Sequence, residues 1–299
     1  MAETIGIVLG LAMAATQSVS LLFVRLFVVR RHKGPVRLLI LGHVLMGAIA
    51  AAALPFLWDP RAGQLGTFIG PLLGAAGFYL AGQTCLVFAL NRTDPSRVSP
   101  LLALKIVVLA LVTAAALGRT YSPLQWAGVA LSVGAAFVLN AAGGRLPRAC
   151  TVLVALTCAA YAMSDLNVKA LMDALGAVGR LRASLLGTSM CYVLTGLAAL
   201  AMLPWAGRGL WREMRYAAPF ALTWLTAMVL LFACFSFVGV VFGNILQSTR
   251  GLISIVLGAR IAAMGMNHIE RRHPRRVLFR RLAAAAMMSL AIALWAAGG

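Results

Sequence analysis

Ser20–Arg25 reads SLLFVR, and Ser164–Lys169 reads SDLNVK. Across a separation of 144 residues a Ser, a Leu, a Val and a closing cation recur in the same order. Six residues mean little alone, but both stretches sit inside long apolar runs, and their separation matches the distance from the first such run to the sixth. Ten runs of about 20 residues, the length a helix needs to cross about 30 Å of hydrocarbon, fall at 4–28, 37–58, 66–90, 97–118, 123–142, 149–173, 182–205, 216–238, 242–264 and 279–297. The fourth and ninth runs also show related patterns about 147 residues apart. The chain therefore reads as two five-helix halves, 1–145 and 146–299, forming one membrane domain. Because five is odd, the second half enters the bilayer from the opposite side, which makes the repeat inverted.

Composition agrees with a bilayer as the solvent. Of 299 residues, 62% are apolar and 11% charged, a balance foreign to soluble domains. Apolar residues run continuously and do not alternate, so the spans are helices and not barrel strands. The expected fold is an all-α integral membrane protein of about ten transmembrane helices. The first span lacks a basic n-region and a clear cleavage site, and reads as a retained helix. Cys85, Cys150, Cys158, Cys191 and Cys234 lie in or at the spans without CxxC pairing and read as packing residues. His268, Glu270 and His273 form a loose group without metal-site spacing; no metal and no cofactor is expected.

A net charge of +19 would suggest nucleic acid in a soluble protein, but the basic residues flank the helices. Connectors after the odd spans hold 17 Lys and Arg, and those on the other side hold 4. By the positive-inside rule the odd connectors are cytoplasmic and both termini are not. The cationic face suits anionic lipid headgroups and needs no nucleic-acid partner. High Ala, Gly and Arg content favours a bacterial inner membrane. A homodimer is left open.

The stretch LGRTYSPLQWAGVALSVGAAFVL, 117–139, has a Leu-Gly turn, a short polar linker, Gln125-Trp126, then Gly128 and Gly134 in a final helix. With the ten spans and the inverted repeat, it resembles the drug/metabolite transporter superfamily, in particular the EamA-like ten-helix members. The resemblance implies a secondary transporter and names no substrate. Three features depart from it: Arg119 stands where Leu-Gly-Glu is common, HIERRHPRR (268–276) blurs the second copy, and many members are drawn with cytoplasmic termini.

An ionisable group at bilayer depth costs about 2.5–3.5 kcal/mol on insertion scales, so it faces protein or water. Lys105, Asp165, Lys169 and Arg250 stand at such depth, while Arg25 is near enough to a helix end to snorkel. At 100° per residue, Asn244, Gln247, Arg250, Gly251, Ser254 and Gly258 share an arc of about 120° on the ninth span. Arg250 either binds a carboxylate or phosphate of a cargo or is held by Asp165 or by carbonyls of a broken helix. Lys105 occupies nearly the equivalent place in the first half, so two cations face one cavity. Asp165 and Lys169, at i and i+4 with Tyr161 and Ser164 on one side, form either a self-neutralising pair or a proton-coupling element. Gln17, Ser18, His43, Tyr79, Gln83, Thr84, Thr223 and Thr226 line or brace the cavity.

The leading expectation is a secondary transporter of a small, anionic metabolite by alternating access, with Arg250, Lys105, Gln247, Asn244, Ser254, Tyr161 and Gln83 at the site. A proton-coupled exporter of cationic compounds and a flippase for a phosphate-bearing lipid are the alternatives. Cation-exporting small relatives resemble one another in a membrane-embedded glutamate in the first helix, and the span 4–28 has none. With no HExxH, no close carboxylate pair and no Ser/His or Cys/His arrangement at depth, no enzyme is expected.

Overall fold

The computed structural model describes residues 2–31, 34–90, 102, 104–140, 148–207, 210–263 and 275–298, and among these there is no strand. The helices are α1 (Ala2–Arg31), α2 (Pro35–Leu57), α3 (Leu65–Leu90), α4 (Leu104–Leu117), α5 (Pro123–Asn140), α6 (Arg148–Ala174), α7 (Arg180–Ala201), α8 (Leu210–Val238), α9 (Val240–Ser248), α10 (Arg250–Ala263) and α11 (Arg275–Ala297). Six of them are long and apolar enough to cross a bilayer by length and composition, with shorter apolar helices at Leu104–Ala116 and Ala283–Ala297. This is a multi-pass helical membrane protein. Helices stand at all ten expected spans, although the start of the fourth, together with His268, Glu270, His273 and the Arg25 side chain, lies outside the described residues.

The ninth span differs from the single helix expected. It is interrupted at Thr249, whose backbone (φ −62°, ψ −17°) tightens toward a 3₁₀ turn and separates α9 from α10. No proline causes the break. It survives in an apolar setting because hydroxyls take up carbonyls around it: Thr249 Oγ1 donates to Leu246 O at 2.7 Å, and Ser18 Oγ from α1 shares its one hydrogen between Ala14 O at 2.8 Å and Arg250 O at 2.9 Å.

The most extensive helix pairings are α1 on α8, α2 on α7, α3 on α6 and α5 on α11, and α4 touches α9. Numbered by span, these are 1–8, 2–7, 3–6, 5–10 and 4–9. Exchanging each span for its counterpart five places away leaves this set unchanged. At the centre of the α2–α7 pair the backbones touch: a Cβ on Gly47 would stand 2.7 Å from Gly196 Cα, and one on Gly196 2.6 Å from Gly47 Cα. Only glycine permits that approach.

Charge pairs close both ends of α2. At its start Arg37 Nε meets Glu213 of α8 at 2.6 Å. Past its end, Asp59 holds Arg61 and, from the first turn of α7, Arg182. Arg182 also donates to the carbonyls of Leu57 and Trp58, so α2 and α7 run antiparallel. Trp58 and Trp205, both exposed, then mark opposite faces of the membrane, the pattern of an aromatic belt.

Candidate functional site

Four helices bring polar side chains together in the apolar interior. Lys105 of α4 points its ammonium at Asp165 of α6, Nζ to Oδ2 at 2.9 Å, with the two side chains 14% and 11% exposed. From α9, Asn244 Nδ2 donates to the same Oδ2 at 2.9 Å, and Gln247 Oε1 accepts from Lys105 Nζ at 3.2 Å. The Gln247 amide in turn donates to Gln17 Oε1 of α1 at 3.3 Å. The Lys105 ammonium stands 6.0 Å from the centre of the Tyr161 ring. Arg250, half-buried at the start of α10, lies within electrostatic reach of both Asp165 and Tyr161. Among the described residues its guanidinium makes no ion pair and no hydrogen bond.

Helical spacing explains the convergence. Asn244 and Gln247 are three residues apart on α9 and Tyr161 and Asp165 four apart on α6, so each pair shares a face. Lys105 and Arg250 enter from helices of different halves. Two cations against one carboxylate leave one net positive charge, in a setting where an unbalanced charge is costly.

Beside this cluster lies an aromatic one. His43 Nδ1 is 2.8 Å from Leu39 O, a contact only a donor makes, so Nε2 accepts from the Tyr79 hydroxyl at 3.0 Å. Gln83 Nε2 donates to the same hydroxyl at 3.0 Å. Tyr79 and Tyr161 rings stand 6.2 Å apart, and Trp224 donates to the Tyr192 hydroxyl at 2.9 Å. A cleft lined by Tyr79, Ser164, Asp165, Tyr192, Thr195 and Met228, among others, joins the two clusters with about 50 Å³ of free space. That is room for a few waters.

The expected residues divide accordingly. Lys105, Asp165, Asn244, Gln247, Tyr161 and Gln17 meet directly, and Arg250 stands at their edge. Ser254 Oγ is buried without a hydrogen-bond partner. Gln83 belongs to the Tyr79 network and not to the charged cluster. Lys169 does not pair with Asp165: it turns a further turn along α6 to Asp173. Asp165 prefers Lys105 because α4 brings that ammonium into a drier place than the half-exposed one Lys169 reaches. Thr84, Thr223 and Thr226 bond carbonyls of their own helices. Tyr192 and Trp224 were not singled out in the sequence, where polar-tipped aromatics at mid-span were the available signal.

Residues 4–141 match the model of the EamA-like transporter family. One solved crystal structure of a protein, 15% identical, superposes over 95% of this chain and 95% of its own with a TM-score of 0.64. At that identity the likeness shows the fold alone, and it spans both halves. No match is found among curated proteins.

Proposed function

Starting from a chain that belongs, through residues 4–141, to the EamA-like transporters of the drug/metabolite transporter superfamily, we propose that it carries a small anionic metabolite by alternating access. The observation that bears most weight is the charge balance of the buried cluster: Lys105 and Arg250 face one carboxylate, Asp165, which Lys105 already neutralises. The remaining cation, Arg250, offers a planar fork of donors to a carboxylate or phosphate. Asn244, Gln247, Ser254 and Tyr161 supply polar contacts around it, and Gln83 acts one step away through Tyr79.

Two five-helix halves, 1–145 and 146–299, are the units that would exchange conformations. The set of helix pairings, unchanged when the halves are swapped, supports that division. The site then draws on α1 and α4 from the first half and on α6, α9 and α10 from the second. High Ala, Gly and Arg content and the family resemblance favour a bacterial inner membrane, and the 17-to-4 count of flanking cations argues for both termini outside the cytoplasm. A cationic cargo is disfavoured because Asp165 is occupied by Lys105. A phosphate-bearing lipid would use the same cations and would need an opening toward the bilayer.

The test is thermal stability of the detergent-purified protein with succinate, inorganic phosphate or tetraphenylphosphonium, on wild type and Arg250→Gln. A ligand that binds only the native state stabilises it by about 2.7 kcal/mol at a hundred times its Kd. The expected result is stabilisation of wild type by an anion and none in Arg250→Gln. Equal anion stabilisation of both proteins, or stabilisation by the cation alone, removes Arg250 from the site.

A further inference from the structure

We propose that Asp165 is the proton-carrying group of this site and that Asn244 is placed to hold its protonated form. Asn244 is 2% exposed. Its Nδ2 donates to Asp165 Oδ2 at 2.9 Å and to Val240 O at 2.8 Å, so both amide hydrogens are spent on acceptors and the amide cannot be turned over. Its Oδ1 is left buried with no donor. A buried acceptor without a partner costs about 1–3 kcal/mol, and an ionised carboxylate has no hydrogen with which to relieve it. A carboxylic acid has one.

The carboxylate is arranged for that hydrogen. Lys105 and Asn244 both contact Oδ2, and Oδ1 takes no hydrogen bond among the described residues. A proton on Oδ1, donated to Asn244 Oδ1 while Asn244 Nδ2 keeps Oδ2, closes the ring of two hydrogen bonds that acids and amides form. Lys105 loses its counter-charge at that moment but keeps Gln247 Oε1, 3.2 Å away. On the anionic-cargo reading, on which this step rests, protonation frees a second cation. The ionised site has one net positive charge and fits a monoanion. The protonated site has two and fits a dianion, which would then travel with one proton.

The groups facing Asp165 are Lys105 from α4, Arg250 from α10, Tyr79 from α3, Tyr192 and Cys191 from α7, and Tyr161 on α6 itself. The side chains that α8 contributes to the cleft, Met228, Leu231 and Phe232, carry no charge. The proton comes from water on the side to which the site is open and is released to water on the opposite side once the site has turned. No other bond changes.

Infrared difference spectra of the cargo-free protein in lipid, recorded on acidification, test this directly. Wild type should gain a carboxylic-acid carbonyl band that is missing in Asp165→Asn. In Asn244→Leu the band should persist at higher frequency, having lost its hydrogen bond. A band unaffected by Asp165→Asn, or a frequency unchanged by Asn244→Leu, overturns the proposal. If Asp165→Asn does not fold, the Asn244→Leu frequency decides alone. Sulfate, which stays doubly charged on mild acidification, should be used in parallel: it should stabilise wild type more strongly as pH falls and stabilise Asp165→Asn independently of pH. The predicted band with no stabilisation by sulfate, succinate or phosphate at any pH upholds the proton site and overturns the anionic cargo instead.

Discussion

Asp165 and Asp59 form ion pairs of the same length. Lys105 stands 2.9 Å from Asp165, and Arg61 and Arg182 each stand 2.9 Å from Asp59. Their surroundings differ. The Arg61 and Arg182 side chains are 67% and 42% exposed at the membrane rim, so water can replace either partner. Lys105 is 14% exposed among apolar helices, and little there can replace Asp165. Separation alone does not set what an ion pair is worth; the medium that would take the partner's place does.

The largest test of that difference is Asp165→Ala. It leaves the Lys105 ammonium buried without a counter-charge, and stability in detergent should fall by about 3–5 kcal/mol. The double variant Asp165→Ala with Lys105→Met should recover most of the loss, since no stranded charge remains. A double variant as unstable as the single one would mean that Asp165 contributes through packing, and the contrast with Asp59 would lose its electrostatic basis.

A smaller effect sets a neutral contact in the interior against a charged one at the rim. Gln247→Leu removes an acceptor from Lys105 and the partner of Gln17, at a cost of about 1–3 kcal/mol. Arg182→Ala removes a full charge from Asp59 yet leaves Arg61 and water to answer it, so its melting temperature should move less. Added salt should narrow the Arg182→Ala difference by screening the exposed pair and leave the Gln247→Leu difference unchanged. Thermal melts of the two variants at low and high salt give both comparisons.

The same contrast explains what could be read from the sequence. Hydropathy marks each span because a bilayer imposes length and apolarity on every crossing segment locally, and helices stand at all ten. SLLFVR and SDLNVK could be matched for the same reason: both are local strings. Lys105, Asp165, Asn244, Gln247 and Arg250 could be singled out because charge and amide groups at depth are few. Their partners could not be assigned. Lys169 has an acid at i−4 and another at i+4, and only the arrival of α4 beside α6 decides that Asp165 goes to Lys105 and Asp173 to Lys169. The interruption at Thr249 was also hidden, since Ser and Thr are ordinary in membrane helices and no proline announces it. What carries it is Ser18, far away in the chain, bonding Arg250 O.

The smallest effect belongs to Asp59 and separates the two carboxylates by pH. Side-chain and backbone hydrogen bonds from Arg61, aided by the charges of Arg61 and Arg182, hold the Asp59 carboxyl down to about 2 from its ordinary 3.8. Because the folded carboxyl binds its proton less readily than the unfolded one, the stabilisation is fully present above 3.8 and lost as pH falls toward about 2. Melts of wild type and Asp59→Asn along that range should converge as acid is added, wild type losing the advantage it holds at neutral pH. Protonation of Asp165 cannot produce that convergence, since Asp165 is present in both proteins and cancels in their difference. Parallel curves would mean that Asp59 titrates as in an unfolded chain. The Arg61 contact would then contribute nothing, and the rim would differ from the interior even more than the distances suggest.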